Sequence, residues 1–240
     1  MSSSERVLAV PECPGREDAS LIDFHRFHYV PTATRDLIRR WFRRAKPVPS
    51  RTADRRLSSG EEHAERFEGF IYAWIAFNGW AMTACDVDGD KASVDLMGSS
   101  PDLQYGFLEL LGSNQDFKAT AEKFRALWPI FSDKDIHRSG VLAQIPPGLA
   151  RPDRIPIYLA HRYQYRGRLR RINYCPPCAD DHGSPEKIPL DWAHSLSAIY
   201  QVRCNLFHGY KGIDVSDDIE IVSSAYEVLY AAIRNQHLFN

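Results

Sequence analysis

The sequence predicts an all-α protein: an up-down four-helix bundle with an N-terminal arm and a basic, irregular insertion between core helices 2 and 3. Three observations predict it. Apolar residues recur at three- and four-residue steps in four separate segments, Gly, Pro, Asn and Asp collect between them, and the residues of 1–57 and about 132–189 carry prolines and arginines without a sustained period.

Residues 1–57 read as an arm rather than core, with two short helical candidates at 19–29 and 34–45 ahead of the break Lys46-Pro47-Val48-Pro49. The rest, 58–240, reads as one helical domain. Its first core helix is expected over 61–84, where Phe67, Phe70, Ile71, Trp74, Ile75, Asn78 and Met82 share a face. A polar connection, 86–102, leads to a second long helix over 103–131, built on Phe107, Leu110, Leu111, Phe117, Ala121, Phe124 and Leu127, with Gly112-Ser113-Asn114 as a candidate interruption. From 132 to 189 the period fades, and 155–174 fits either a hairpin turning near Arg166-Gly167 or a short helix. The period returns at 191–208 and again at 217–236, where Ile221, Ala225, Val228, Leu229 and Ile233 line a face.

At 240 residues, 44% hydrophobic and 25% charged, the chain has the composition of a folded domain and excludes pervasive disorder. The net charge of −1 conceals segregation: residues 35–56 carry nine Lys/Arg against two Asp, and 151–171 carry seven Arg against one Asp. Such blocks suit an anionic partner. The longest apolar run, Phe70 to Cys85, contains Asn78 and is shorter than the roughly 18–20 residues that cross a bilayer, so no membrane is expected. The start, Met1-Ser2-Ser3-Ser4-Glu5-Arg6, has no hydrophobic leader, and five cysteines, an odd count, fit a reducing compartment; the expectation is cytoplasmic.

One segment carries chemistry. In Arg203-Cys204-Asn205-Leu206-Phe207-His208-Gly209-Tyr210 an arginine and a histidine stand five positions apart where the third core helix stops, Gly209 supplying a left-handed end. Guanidinium is permanently charged and fork-shaped, which suits a phosphate or a pentavalent transition state, and imidazole is the side chain that exchanges a proton near neutrality.

That motif, with Phe70-Ile71-Tyr72-Ala73-Trp74-Ile75-Ala76-Phe77-Asn78 on the first helix, resembles the HEPN superfamily over roughly residues 60–237. HEPN nucleases carry Arg, four to six residues and then His at the end of the third core helix. The resemblance implies a HEPN-like bundle and metal-independent RNA cleavage, in which the ribose 2′-hydroxyl attacks its own phosphorus and leaves 2′,3′-cyclic phosphate and 5′-hydroxyl ends. His208 would move the proton, Arg203 would stabilise phosphoryl charge, and Asn205 would orient one of them. No cofactor and no metal are implied. A homodimer pairing two motifs is expected, as is an antitoxin or defence-system partner protein. Tyr210 completes Arg-x4-His-x-Tyr, resembling toxins whose tyrosine is adenylylated. The sequence departs from the family at Cys204, where Asn, Asp or His is usual.

Other readings stand beside these. Arg203 could pair with an acidic side chain of a neighbouring helix while His208 only caps its own, leaving a catalytically inactive HEPN module that binds RNA, a nucleotide or a partner. Arg162, Arg166, Arg168, Arg170 and Arg171, interleaved with Tyr158, Tyr163, Tyr165 and Tyr174, suit single-stranded RNA, as do Arg35, Arg39, Arg40, Arg43 and Arg44 around Trp41; a solvated charged face is the alternative for each. Cys175-Pro176-Pro177-Cys178 with His182 is half of a zinc pattern, for which reduced thiols in a loop, or a metal-stabilised adaptor, are the readings. Asn78 and His194 read as satisfied core polar groups.

Overall fold

A computed structural model describes residues 22–46, 59–164 and 188–239, the side chains of 161–164 excepted. Among these residues the chain forms ten α-helices and one short 3-10 helix, and no strand. In chain order they are α1 (Arg26–Tyr29), α2 (Thr32–Arg44), α3 (Ser59–Cys85), α4 (Asp90–Ser99), α5 (Pro101–Ser113), α6 (Gln115–Ala126), α7 (Asp133–Ser139), the 3-10 helix Val141–Gln144, α8 (Arg151–Gln164), α9 (Trp192–Phe207) and α10 (Ser216–Asn235).

The longest helix, α3, is the spine. Phe67, Phe70, Trp74, Phe77, Trp80, Ala81 and Ala84 fall at three- and four-residue steps and are buried. α10 and α2 pack most extensively along it, α4 lies against it, and α9 packs on α4, α5 and α10. The two large aromatic faces of Phe77 and Phe107 meet Trp192, the first residue of α9, and tie the three helices at one point. Close approach between α3 and α10 depends on Gly69, where an added Cβ would lie 2.7 Å from the Tyr226 ring.

Four expectations need correction. The described part of the arm belongs to the core, because Phe27, Ile38 and Ala45 are buried there and Trp41 and Phe42 pack on it. The polar connection 86–102 contains α4, whose Val94, Leu96 and Met97 are buried while its aspartates and lysine face outward or pair. The expected second long helix is two helices, divided at the candidate interruption Gly112-Ser113-Asn114, where the Asn114 side chain caps α6 by accepting from the Phe117 N–H at 3.0 Å. The insertion is helical as far as it is described: α7, the 3-10 turn and α8 occupy 133–164, so the hairpin alternative at 155–174 gives way to helix through Gln164, with Pro156 inside it. No helix of the described residues is long and apolar enough to cross a membrane.

Candidate functional site

The candidate site is the C-terminal end of α9, and the N-terminal end of that helix is what holds it in place. Asp191 caps α9 by accepting from the His194 N–H at 2.9 Å and pairs with His194 Nδ1 at 2.7 Å, both residues buried. Trp192 donates from its indole to the Met97 carbonyl at 2.9 Å and from its backbone to Gln104 Oε1 at 3.0 Å. With its first turn fixed to α4 and α5, the 16-residue α9 delivers its last turn to a set place.

That last turn ends by a left-handed glycine. Gly209 has φ +76°, its N–H donates to the Leu206 carbonyl, and the Tyr210 N–H donates back to the Asn205 carbonyl, both at 3.0 Å. The paired 5→2 and 6→1 bonds satisfy carbonyls that the helix leaves orphaned. His208 therefore falls one residue beyond the helix, at its C-cap, and its side chain is exposed.

Arg203 faces α3 and α4. Its Nη2 donates to Asp90 Oδ2 at 2.6 Å, and Asp90 Oδ1 accepts from Asn78 Nδ2 at 3.1 Å. Asp90 opens α4 just after Gly89, where the helix dipole favours a carboxylate. The guanidinium also lies over three rings, Phe207 at 4.9 Å, Trp74 at 5.7 Å and Tyr200 at 6.0 Å. Burial, then Cys204, pushes the Tyr200 phenol up to about 12, so near neutrality it remains a donor. Arg203 retains 23% of its side-chain exposure, and its Nε and the Trp74 Nε1 are buried donors without an acceptor among the described residues.

Asn205 points elsewhere. It is 2% exposed, its Oδ1 accepts from Gln201 Nε2 at 2.7 Å and from the Asp133 N–H at 3.1 Å, and its Nδ2 donates to the Phe131 carbonyl at 2.8 Å. None of these bonds reaches Arg203 or His208. Asn205 orients the 131–133 turn, with its amide buried on the flank away from Arg203. On the same side Tyr210 stacks on His137 at 5.0 Å, and Lys211 enters the protein between Asp133 and Asp218. These residues, with Arg151, Arg154, Tyr158 and Asp217, border a cavity of about 190 Å³. Burial holds the Asp133 carboxyl above its ordinary value despite Lys211, and burial also lowers Arg151, whose guanidinium donates to the Leu127 and Pro129 carbonyls.

The structure thus brings Arg203 together with Asp90 and Asn78, sets His208 at the exposed tip, and places Asn205 and Tyr210 on the other flank. Sequence reading missed Asp90 and Lys211 as members of the site. Asp90 is 113 positions from Arg203; the alternative that Arg203 pairs with an acidic side chain of a neighbouring helix foresaw the kind of partner but not which residue. Of the basic candidates, Arg162 lies in α8 with its side chain outside the described residues, as are Arg166, Arg168, Arg170 and Arg171 altogether. Cys175, Cys178 and His182 are outside as well. On α2, Arg40 and Arg43 are exposed, while Arg39 donates to the Phe239 carbonyl and Arg44 to the Tyr72 hydroxyl. Among the described residues no group of three or more His, Cys, Asp and Glu is placed to hold a metal. Comparison with protein-family models, with curated proteins and with solved structures finds no match to this chain.

Proposed function

We propose that this chain is a HEPN-type endoribonuclease that cleaves RNA without a metal through attack of a ribose 2′-hydroxyl, leaving 2′,3′-cyclic phosphate and 5′-hydroxyl ends. The observation that carries the reading is the end of α9: a partly exposed guanidinium steadied by Asp90 and three rings, and an exposed imidazole just past the helix. The Arg203 side chain keeps 23% exposure with the Asp90 pair in place, so a phosphoryl oxygen can be met by the outer part of the guanidinium without breaking that pair. His208 moves the proton. Asn205 positions the neighbouring turn and does not touch RNA.

Five residues correspond to about 140° around a helix and about 7.5 Å along it, so Arg203 and His208 leave different flanks of α9. One imidazole also cannot be both acid and base in a single displacement. We therefore place a second copy across a two-fold axis, its motif completing the site. Phe207, Ile213 and Val215, 48%, 49% and 47% exposed on and just after the motif, give that copy an apolar surface to cover. RNA is held by the basic segments, Arg162, Arg166, Arg168, Arg170 and Arg171 among them. By family analogy the protein acts in the cytoplasm as a toxin or defence effector with an antitoxin or defence partner, Tyr210 being the candidate for modification.

One observation favours a second reading, the catalytically inactive HEPN module: Asp90 already neutralises Arg203, as an arginine with only a structural task would require. Incubation of the purified protein with mixed RNA in EDTA, with mapping of the new ends, separates the two. The nuclease reading expects cyclic phosphate ends and loss of roughly 10²-fold or more in both Arg203→Ala and His208→Ala with folding intact. No cleavage by the wild-type chain leaves the inactive module, and full activity in either variant overturns the roles given to Arg203 and His208.

A further inference from the structure

We propose that Lys211 is a positioning residue for His208, fastening the segment that leaves α9 and so fixing where the imidazole points. The inference rests on the role given to His208 above and adds a residue to its support.

The chain from His208 to α10 is short, and its bonds form a closed circuit. Tyr210 returns its N–H to the Asn205 carbonyl at 3.0 Å. The Lys211 ammonium lies 2.7 Å from Asp133 Oδ2 and 2.8 Å from Asp218 Oδ1, and the Gly212 N–H donates to Asp218 Oδ2 at 3.1 Å. Asp133 is itself tied back to α9, because its N–H donates to Asn205 Oδ1 at 3.1 Å. A single ammonium thus joins α7, the end of α9 and the start of α10.

A lysine kept only for solubility leaves its charge in water while its stem covers apolar surface. Lys211 does the opposite, with 7% side-chain exposure between carboxylates that are themselves 20% and 13% exposed. Burying three charges and freezing a four-carbon stem is costly, and what the arrangement secures is one geometry. Behind it, Arg151 holds the Leu127 and Pro129 carbonyls and Arg154 pairs with Asp217, so the walls of the clamp are braced from α8. Two residues separate Lys211 from His208, and the one glycine between them, Gly209, is locked by its own pair of helix-ending bonds.

The test is backbone amide exchange and RNA cleavage in the full chain carrying Lys211→Met. The Tyr210 and Gly212 amides should exchange about 10-fold faster or more, with α9 residues 196–202 unchanged. For cleavage, kcat should fall about 10-fold or more while KM stays within about threefold, and Lys211→Arg should recover part of the loss. Since Lys211→Met leaves two carboxylates face to face, the comparison is repeated in Lys211→Met combined with Asp133→Asn, which removes one charge of each sign. Unchanged exchange in both variants overturns the clamp whatever the protein does to RNA. Faster exchange with unaltered kcat overturns the positioning role. If the wild-type chain cleaves nothing, the positioning role falls with the nuclease reading, while the exchange result still decides the clamp.

Discussion

Replacing Asn205 by alanine should cost the protein about 3–5 kcal/mol of stability, and the figure follows from what the amide holds. Its two polar atoms serve three partners: the Gln201 side chain, the Asp133 N–H and the Phe131 carbonyl, at 2.7, 3.1 and 2.8 Å. The site is 2% exposed, so truncation takes one hydrogen bond from each of the three with little water to replace it. A buried polar group left unpaired costs roughly 1–3 kcal/mol, and the adjoining cavity of about 190 Å³ lets water relieve part of the total, which places the sum near the lower half of the range. For a chain of this size each kcal/mol corresponds to roughly 2–4 °C, so the melting temperature should drop by about 6–20 °C. Urea unfolding of wild type and Asn205→Ala at constant m-value measures it. A loss below about 1 kcal/mol would show that the 131–133 turn does not lean on this side chain, and the argument that Asn205 is structural would fail.

Four further outcomes are expected. Asp90→Asn should lower cleavage by about 10-fold or more through a wandering guanidinium while altering stability by less than about 1 kcal/mol, since the pair is partly solvated; cleavage equal to wild type would mean the rings alone hold Arg203. Gly69→Ala should cost about 1–3 kcal/mol by urea unfolding, because the new Cβ meets a Tyr226 ring that cannot swing without releasing the Ala45 carbonyl; a neutral substitution would mean α3 and α10 can part freely. Gly209→Ala places a side chain at φ +76° with open space around it, so its cost of about 1–2 kcal/mol is purely conformational, and a neutral result would deny the left-handed end. Asp133 binds its proton more tightly folded than unfolded, so stability falls as pH rises from 3.8 through its raised value. Asp133→Asn removes that dependence, and the wild-type advantage over the variant should grow as pH falls from neutrality into the window just above 3.8; a difference constant with pH would contradict the buried placement of the carboxyl.

How far the sequence could be read depended on the range of the interaction involved. Periodicity marked α3, α9 and α10 because each buries a continuous stripe, and Gly209 marked the end of α9 because a left-handed glycine is a local event. α4 escaped because its core face is only Val94, Leu96 and Met97, and its Gly98 and Ser99 are buried for smallness, Gly98 lying against Ala193. α8 stayed undecided between hairpin and short helix because Pro152, Pro156 and the aromatic residues imitate a turn-bounded strand; Pro152 falls in the first turn, where proline is tolerated, while Pro156 lies inside the helix. At the site the divide is sharper. Arg203, His208, Asn205 and Tyr210 stand within eight residues and were visible as a string, but a string does not say which flank each takes. The helix decides that: positions 203 and 205 differ by about 200° around α9, so one enters a carboxylate and aromatic cage and the other braces a turn. Asp90 and Lys211 became part of the site only through contacts spanning 113 and 78 positions, from Asp90 to Arg203 and from Asp133 to Lys211, which no local pattern encodes. A motif therefore names the reacting groups more readily than the residues that aim them, and substitutions at Asp90 and Lys211 test the aim independently of the groups themselves.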